Sequence, residues 1–249
     1  MPRGCEVKSL IVGDLHPDKS TAGFSRFDDV ARALELVFER ALKRRVDEVL
    51  FLGDLADPES ENLVRCITLF AEFASKLDVE GIDTIAIPGN HDVLEDGYGT
   101  TTLDPLAFVA GVTLVKRPRY VQVGAGEAVV LLPYVPTSHA YDPKAEVCEL
   151  AAELTRVGLG AKVAAVAGHL MLEGIATGSE TKDMARGRDV FFPIDTVRRL
   201  FPNALLFNAH YHRRQTYRGV EIPGSVCRFT RDECENVPGI LEVDTERGG

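Results

Sequence analysis

Five short apolar runs along this chain each break off into Asp, Asn or His. Leu10-Ile11-Val12 leads into Gly13-Asp14-Leu15-His16, and Leu50-Phe51-Leu52 into Gly53-Asp54-Leu55-Ala56-Asp57. Ile85-Ala86-Ile87 leads into Pro88-Gly89-Asn90-His91-Asp92, Ala164-Ala165-Val166-Ala167 into Gly168-His169, and Leu205-Leu206-Phe207 into Asn208-Ala209-His210-Tyr211-His212. Runs of this length, bounded by turn residues, read as buried strands. In an open α/β sheet the carboxyl ends of strands are where ligands bind. A lone strand-Gly-Asp proves little, because it also makes turns and helix caps.

Periodicity fills in the segments between. Residues 28–45 place Val30, Leu34, Val37, Phe38 and Leu42 on one helical face, with Asp28 or Asp29 as its cap, and a second helix is expected near 60–78. Strands at 7–12, 48–52 and 82–87 alternate with these helices, an order that implies parallel pairing. Beyond Asp92 the segment 94–104 is polar and Gly/Thr-rich and reads as an active-site loop. Short strands follow at 112–115, 119–123 and 128–132, then a helix at 142–157 and a buried strand at 162–167. A long loop, 170–189, carries Gly174, Gly178 and Gly187; strands at 204–208, 214–218, 220–222 and 239–243 close the chain. The second half varies the pattern of the first. The expectation is an α/β fold with two sheets in a single domain over 1–249, the five polar strand ends converging on one rim.

Composition changes the picture only by exclusion. At 249 residues and 45% hydrophobic, the chain is long enough for one substantial core and short for two. No apolar stretch approaches the roughly 20 residues of a membrane helix, and the N-terminus lacks the features of a signal peptide. The five cysteines are scattered, with no Cys-x-x-Cys, which points to reduced thiols and a cytoplasmic protein. A net charge of -10 argues against broad adhesion to nucleic acid. It leaves a nucleic-acid substrate open, since bound cations invert the local sign of a site.

The chemistry lies in the placement of the histidines. Of six, five (His16, His91, His169, His210 and His212) fall inside the strand-end motifs, and His139 alone lies outside. A single histidine is most often a surface or hydrogen-bonded one; five gathered this way are not so explained. Carboxylate, amide and imidazole donors without thiolate favour Mn, Fe, Zn or Co. There are too many candidate ligands for one tetrahedral zinc, so two divalent ions sharing Asp54 is the economical reading.

As a set, Asp14-x-His16, Gly53-Asp54-x-x-Asp57, Gly89-Asn90-His91-Asp92, Gly168-His169 and Ala209-His210-x-His212 resemble the five signature blocks of the calcineurin-like metallophosphoesterases, in that family's order. One departure is Ala209, where Gly is usual, tolerable unless the backbone there needs positive φ. The resemblance implies a four-layer α-β-β-α sandwich of two mixed sheets flanked by helices. It implies one metal held by Asp14, His16, Asp54 and His212 and another by Asp54, Asn90, His169 and His210, with Mn²⁺ first and Fe, Zn or Co as alternatives. It implies that His91 contacts the phosphate and assists the leaving group, oriented by Asp92. Asp57 is left a supporting role, holding the loop or a ligand histidine.

Two further stretches bear on the substrate. His169-Leu170-Met171-Leu172-Glu173-Gly174 with Gly178-Ser179-Glu180, and the end of the chain from His212-Arg213-Arg214-Gln215 through Pro223-Gly224-Ser225 to Gly239-Ile240-Leu241-Glu242-Val243, resemble the catalytic domain of SbcD-type DNA exonucleases. Arg213, Ser225, Arg228 and Arg231 are then candidates to receive a phosphodiester backbone. The chain stops soon after its last strand, so no DNA-capping domain is expected. An SMC-like ATPase partner is compatible with the resemblance but not required by it. Oligomeric state is open, a homodimer included. The reading is a binuclear metal-dependent phosphodiesterase acting on DNA. The alternatives are a nucleotide or cyclic-nucleotide phosphoesterase, which the acidic charge favours, and a non-catalytic metal-binding scaffold, disfavoured because every expected ligand and His91 are present.

Overall fold

The computed structural model describes residues 8–94, 99–123, 126–136, 141–175 and 190–244. Thirteen strands and four helices are built there. In chain order they are β1 (Lys8–Val12), β2 (Ser20–Thr21), β3 (Phe24–Ser25), α1 (Phe27–Arg44), β4 (Glu48–Phe51), α2 (Leu63–Val79), β5 (Asp83–Ala86) and β6 (Val112–Leu114). Then come β7 (Arg119–Val123), β8 (Glu127–Leu132), α3 (Pro143–Arg156), β9 (Val163–Gly168), α4 (Ile194–Leu200), β10 (Leu205–Asn208), β11 (Gln215–Tyr217), β12 (Val220–Ile222) and β13 (Leu241–Asp244).

Alternation along the strands decides the layering. In β1, β4 and β5, Leu10, Val12, Val49, Phe51 and Ala86 turn outward onto α1 and α2, while Ile11, Leu50 and Ile85 turn inward. In β8, β9 and β10, Val130, Val166 and Leu206 face α3 and α4, while Val129, Leu131, Ala165, Ala167 and Phe207 face the first sheet. Both faces of each sheet are therefore apolar, and the only arrangement that buries all four faces is helix-sheet-sheet-helix. The expected four-layer sandwich is what forms. The first sheet runs β13-β1-β4-β5-β6, the second β11-β12-β10-β9-β8-β7, and β2-β3 make a separate two-stranded ribbon. β1, β4, β5 and β6 pair in parallel, as do β8, β9, β10 and β12; β13, β7 and β11 attach antiparallel. Parallel pairing aligns the carboxyl ends of β1, β4 and β5 in the first sheet and of β9 and β10 in the second, and contacts such as His210 N–H to Asp14 join the two sets at one end of the sandwich.

Some local expectations need correction. α1 begins at Phe27 with Arg26 at its N-cap, so Asp28 and Asp29 lie in the first turn, where they complement the helix dipole without capping it. Leu42 is 38% exposed and leaves the buried stripe, whose fourth member is Ala41. The ribbon β2-β3 and helix α4 were not expected at all: two-residue strands and a seven-residue helix carry too few positions to display a period. His139 lies outside the described residues, as do 95–98 of the polar loop after Asp92 and 176–189 of the loop containing Gly178, Ser179, Glu180 and Gly187. No helix among the described residues is long and apolar enough to cross a membrane.

Candidate metal centre

All five strand ends meet at the rim. Asp14, His16 and His212 offer ligand atoms within 4.8 Å of one another, and so do Asp54, His169 and His210. The Asp54 carboxylate stands between the two groups, its Oδ2 3.5 Å from His16 Nε2 and 3.3 Å from His169 Nε2. Asn90 belongs with the second group, because its Oδ1 lies 3.1 Å from His169 Nε2 and 2.8 Å from His210 Nδ1. Asp14 Oδ1 accepts the His210 backbone N–H at 3.1 Å, which ties the first strand end to the last.

The backbone is bent to achieve this. Asp14, His16, Asp54 and His210 have φ of 52°, 42°, 61° and 82°, the left-handed region that non-glycine residues avoid. Such residues cost of order 1–3 kcal/mol each and persist where their surroundings hold them. Asp14 N–H donates to Gly53 O and Leu15 N–H to Asp54 O, which locks the first two turns together. Gly89 is required by close approach: a Cβ there would lie 2.2 Å from Asp54 Oδ1 and 2.6 Å from His169 Cε1. Ala209 is not a positive-φ residue, so its methyl group is accommodated; it faces Gly13, where a Cβ would come within 2.8 Å of it.

The donor set fits divalent cations. Among the described residues, neither ring nitrogen of His16 nor Nε2 of His210 has a hydrogen-bond partner, although both rings are buried. Buried polar atoms are ordinarily satisfied, and a cluster of unsatisfied imidazole nitrogens around carboxylates is the arrangement a metal completes. Burial is also the main cause that lowers His16, and that lowers His210 to about 3, which leaves both rings neutral as ligation requires. Burial by itself would raise Asp54, but His169, His91 and His16 hold it well below the usual carboxylate range. His169 is opposed by burial yet raised to about 9 by Asp54, and a cation beside that carboxylate would compete for the same charge. Its Nδ1 lies 2.6 Å from the Leu52 carbonyl, which fixes the ring with Nε2 toward Asn90 and Asp54.

His91 sits beside the two groups, its ring 5.0 Å from that of His16 and its backbone N–H donating to Asp54 Oδ1 at 2.9 Å. Its orienting partner is not Asp92, as expected, but Asp57, whose Oδ1 lies 2.5 Å from His91 Nδ1. Burial would lower the His91 imidazole, but Asp54 and Asp57 raise it to about 9. Asp92 is instead wholly buried and accepts backbone N–H groups from Asp54, Leu55, Ala56 and Gly89 at 2.7 to 3.2 Å. It staples two strand-end turns together and does not orient the imidazole.

Three residues at the centre escaped the sequence reading. Lys19 Nζ holds Asp57 Oδ2 at 2.6 Å. Glu233, from the turn Arg231–Glu233, holds His212 Nδ1 at 2.9 Å. Phe229 packs edge-on against both His16 and His212, with centroids 5.5 and 5.6 Å apart. All three lie in irregular segments, where no period marks them. Among the expected substrate contacts, Arg213, Arg228 and Arg231 are exposed on segments adjoining the centre, and Arg228 Nε donates to Asn236 O at 2.7 Å. Ser225 is corrected: it is 1% exposed and its hydroxyl is spent on the Cys227 carbonyl at 2.5 Å, so it cannot meet a substrate.

Comparisons with known proteins agree with the fold. A dimetal phosphatase structure from Danio rerio superposes with a TM-score of 0.54 at 14% identity, over 88% of this chain and 87% of that one. A second solved structure gives 0.52 at 12% identity, over 88% and 91%. The DNA double-strand break repair protein Mre11 of Aeropyrum pernix is 40% identical over 86 residues, which is 34% of this chain and 21% of that protein. The model of the calcineurin-like phosphoesterases matches residues 7–214. This chain belongs to the calcineurin-like phosphoesterase family, a family of hydrolases.

Proposed function

We propose that this protein is a binuclear metal-dependent phosphodiesterase that cleaves DNA. The observation that carries the reading is the pair of ligand groups meeting at Asp54, with His91 held alongside. One ion would be held by Asp14, His16, Asp54 and His212, the other by Asp54, Asn90, His169 and His210, with Mn²⁺ the first choice. Two divalent ions there would neutralise phosphate oxygens and lower the pKa of a water.

The chain's own groups do the rest. With Nδ1 bound to Asp57, His91 turns Nε2 toward the substrate as proton donor to the departing oxygen. Lys19 neutralises the outer oxygen of Asp57 and fixes its carboxylate plane. Asp54 accepts the His91 N–H, so the bridging carboxylate and the acid, which sit on two different strand-end turns, are tied directly to each other.

DNA is favoured over other phosphodiesters by two supports. One is the local identity with an archaeal DNA double-strand break repair protein. The other is the flank of exposed arginines: Arg213 follows His212 directly, and Arg228 precedes Phe229, which packs on two of the proposed metal-one histidines. A nucleotide or cyclic-nucleotide substrate is the second reading, favoured by the net charge of -10. Side-by-side assay with Mn²⁺ on single-stranded DNA, duplex DNA, a cyclic nucleotide and bis-nitrophenyl phosphate separates them. Turnover of DNA well above the cyclic nucleotide is expected; cyclic-nucleotide turnover without DNA cleavage would replace the proposal by the second reading. An SMC-like ATPase partner and a cytoplasmic location belong to the same proposal; the partner is tested by ATP-dependent stimulation of cleavage in the co-purified complex.

A further inference from the structure

We propose that Glu233 is the positioning residue of the first metal site, fixing the tautomer of His212 and the wall that packs on its ligands. The proposal rests on the reading of Asp14, His16 and His212 as metal ligands and adds a residue that neither the motifs nor the comparisons assign.

The geometry is that of one carboxylate serving two purposes. Glu233 is 1% exposed. Its Oε1 lies 2.9 Å from His212 Nδ1, and its Oε2 accepts the Phe229 backbone N–H at 2.7 Å. Phe229 in turn presents its ring to both His16 and His212. The residue that packs on two imidazoles of the site is thus anchored by the carboxylate that orients one of them. A buried carboxylate is costly unless its oxygens are paired, so this one is retained where both are used. The segment has its own footing: Val226, Cys227 and Phe229 belong to the core under α1 and α2, Thr21 Oγ1 donates to Phe229 O at 2.7 Å, and Glu233 N–H closes its turn on Thr230 O.

With Nδ1–H donated to Glu233, Nε2 is the nitrogen His212 can offer to a cation shared with Asp14 and His16. A carboxylate in this position also makes the imidazole a stronger donor. The second site is built differently, because His169 Nδ1 faces a neutral backbone carbonyl, that of Leu52. Loss of the Glu233 charge should therefore weaken one site and spare the other. Glu233→Gln is the sharp test. Its amide oxygen can still accept from Phe229, but its NH₂ then meets His212 Nδ1 donor to donor. The ring is relieved by shifting its proton to Nε2, which removes the lone pair a metal needs.

The experiment is calorimetric titration of metal-free protein with Mn²⁺, beside thermal unfolding of the metal-free forms. The wild type is expected to take up two equivalents. Glu233→Gln should lose about 10- to 100-fold in affinity for one equivalent, hold the other within about threefold, and keep a metal-free midpoint near wild type. Unchanged affinities, or equal weakening of both steps, would overturn the proposal. No uptake by the wild type would overturn the metal reading itself, a distinct result. Should the variant fail to fold, ¹⁵N-histidine spectra of zinc-loaded wild type decide the matter. His212 is expected with its proton on Nδ1 and metal on Nε2, and the reverse arrangement sinks the assignment.

Discussion

Asp54 and Glu48 lie six residues apart at opposite ends of one strand and its turn, both buried, and their surroundings treat them in opposite ways. At the rim, burial would raise Asp54, yet His169, His91 and His16 hold it well below its usual range. At the base, Glu48 faces the space between the sheets, and burial pushes it up to about 7. Its partners there are the Ser9 hydroxyl, donating at 2.9 Å, and the carboxylates of Asp47 and Asp83, which raise it further. Desolvation penalises the charged form at both ends; what differs is the supply of positive partners. The rim is a place where negative charge is wanted and paired. The base is a place where it is merely tolerated in protonated form.

Breaking the rim should have the largest effect. Asp54→Asn leaves a neutral amide between the two ligand groups, which cannot serve two cations as a carboxylate does. It is expected to abolish turnover and to lower metal content, read by elemental analysis beside DNA cleavage. Full activity with stoichiometric metal would end the binuclear reading. His91→Ala should keep both metals and lose about 10²- to 10⁴-fold on substrates with poor leaving groups. The loss should shrink on a nitrophenyl ester, whose leaving group needs little protonation. Equal impairment on both esters, or loss of a metal ion, would make His91 a ligand or a structural residue instead.

Asp57 and Asp92 sharpen the comparison within the rim, because one carboxylate holds the His91 imidazole and the other the backbone of the turn that carries it. Asp57→Asn should reproduce the leaving-group dependence of His91→Ala in weaker form, below the roughly 10²-fold loss expected for the acid itself, with a loss of stability smaller than at Asp92 because Asp57 is a third exposed. Asp92→Asn should do the reverse. It sets an amide NH₂ against backbone N–H groups that now donate to a carboxylate. Burial and Asp54 already raise this carboxyl to about 6, so the lost acceptor matters and not the lost charge. A buried donor left unsatisfied costs about 1–3 kcal/mol. A destabilisation of that size in urea, with rates on the two esters reduced by a common factor, is expected. Leaving-group dependence in Asp92→Asn would restore it as the orienting residue.

The carboxylate that orients His91 is not its neighbour in sequence. Sequence adjacency suggested Asp92, but the two residues share a tight 3₁₀ turn, Asn90–Asp92, and consecutive side chains there diverge. The contact that matters comes from another strand-end turn, 34 positions away. The same distinction governs the rest of the site. Asp14, His16, Asp54, Asn90, His169, His210 and His212 stand out as candidates because each follows a strand whose apolar run announces it; their division into two ligand sets is what the family resemblance implies. Lys19, Phe229 and Glu233 sit in loops whose course depends on tertiary packing, so nothing local marked them. Ser225 failed for the converse reason: a serine in a Pro-Gly-Ser turn reads as exposed, but its hydroxyl satisfies a carbonyl in a buried turn.

Turnover is expected to feel the base least, and the effect there is one of stability against pH. Glu48 has the ordinary glutamate value of 4.5 in the unfolded chain and is pushed up to about 7 in the fold. Below pH 4.5 it is protonated in both states and imposes no penalty. Between that value and about 7 the unfolded chain ionises while the folded chain holds its proton, so stability falls as pH rises and the full loss is reached above 7. The charged groups lining this space are Asp47 on the turn before β4, Asp83 on β5, Arg119 on β7 and Glu153 on α3; Arg119 is the one cation among them. A rise from 4.5 to about 7 corresponds to on the order of 3 kcal/mol. Glu48→Gln keeps the acceptor for Ser9 and removes the titration. Metal-free wild type should therefore lose on the order of 3 kcal/mol more than the variant between pH 4.5 and pH 8, measured by urea unfolding at each pH. Parallel pH profiles for the two proteins would mean that Glu48 ionises in the fold as easily as in the unfolded chain, and that the base is better solvated than its burial implies.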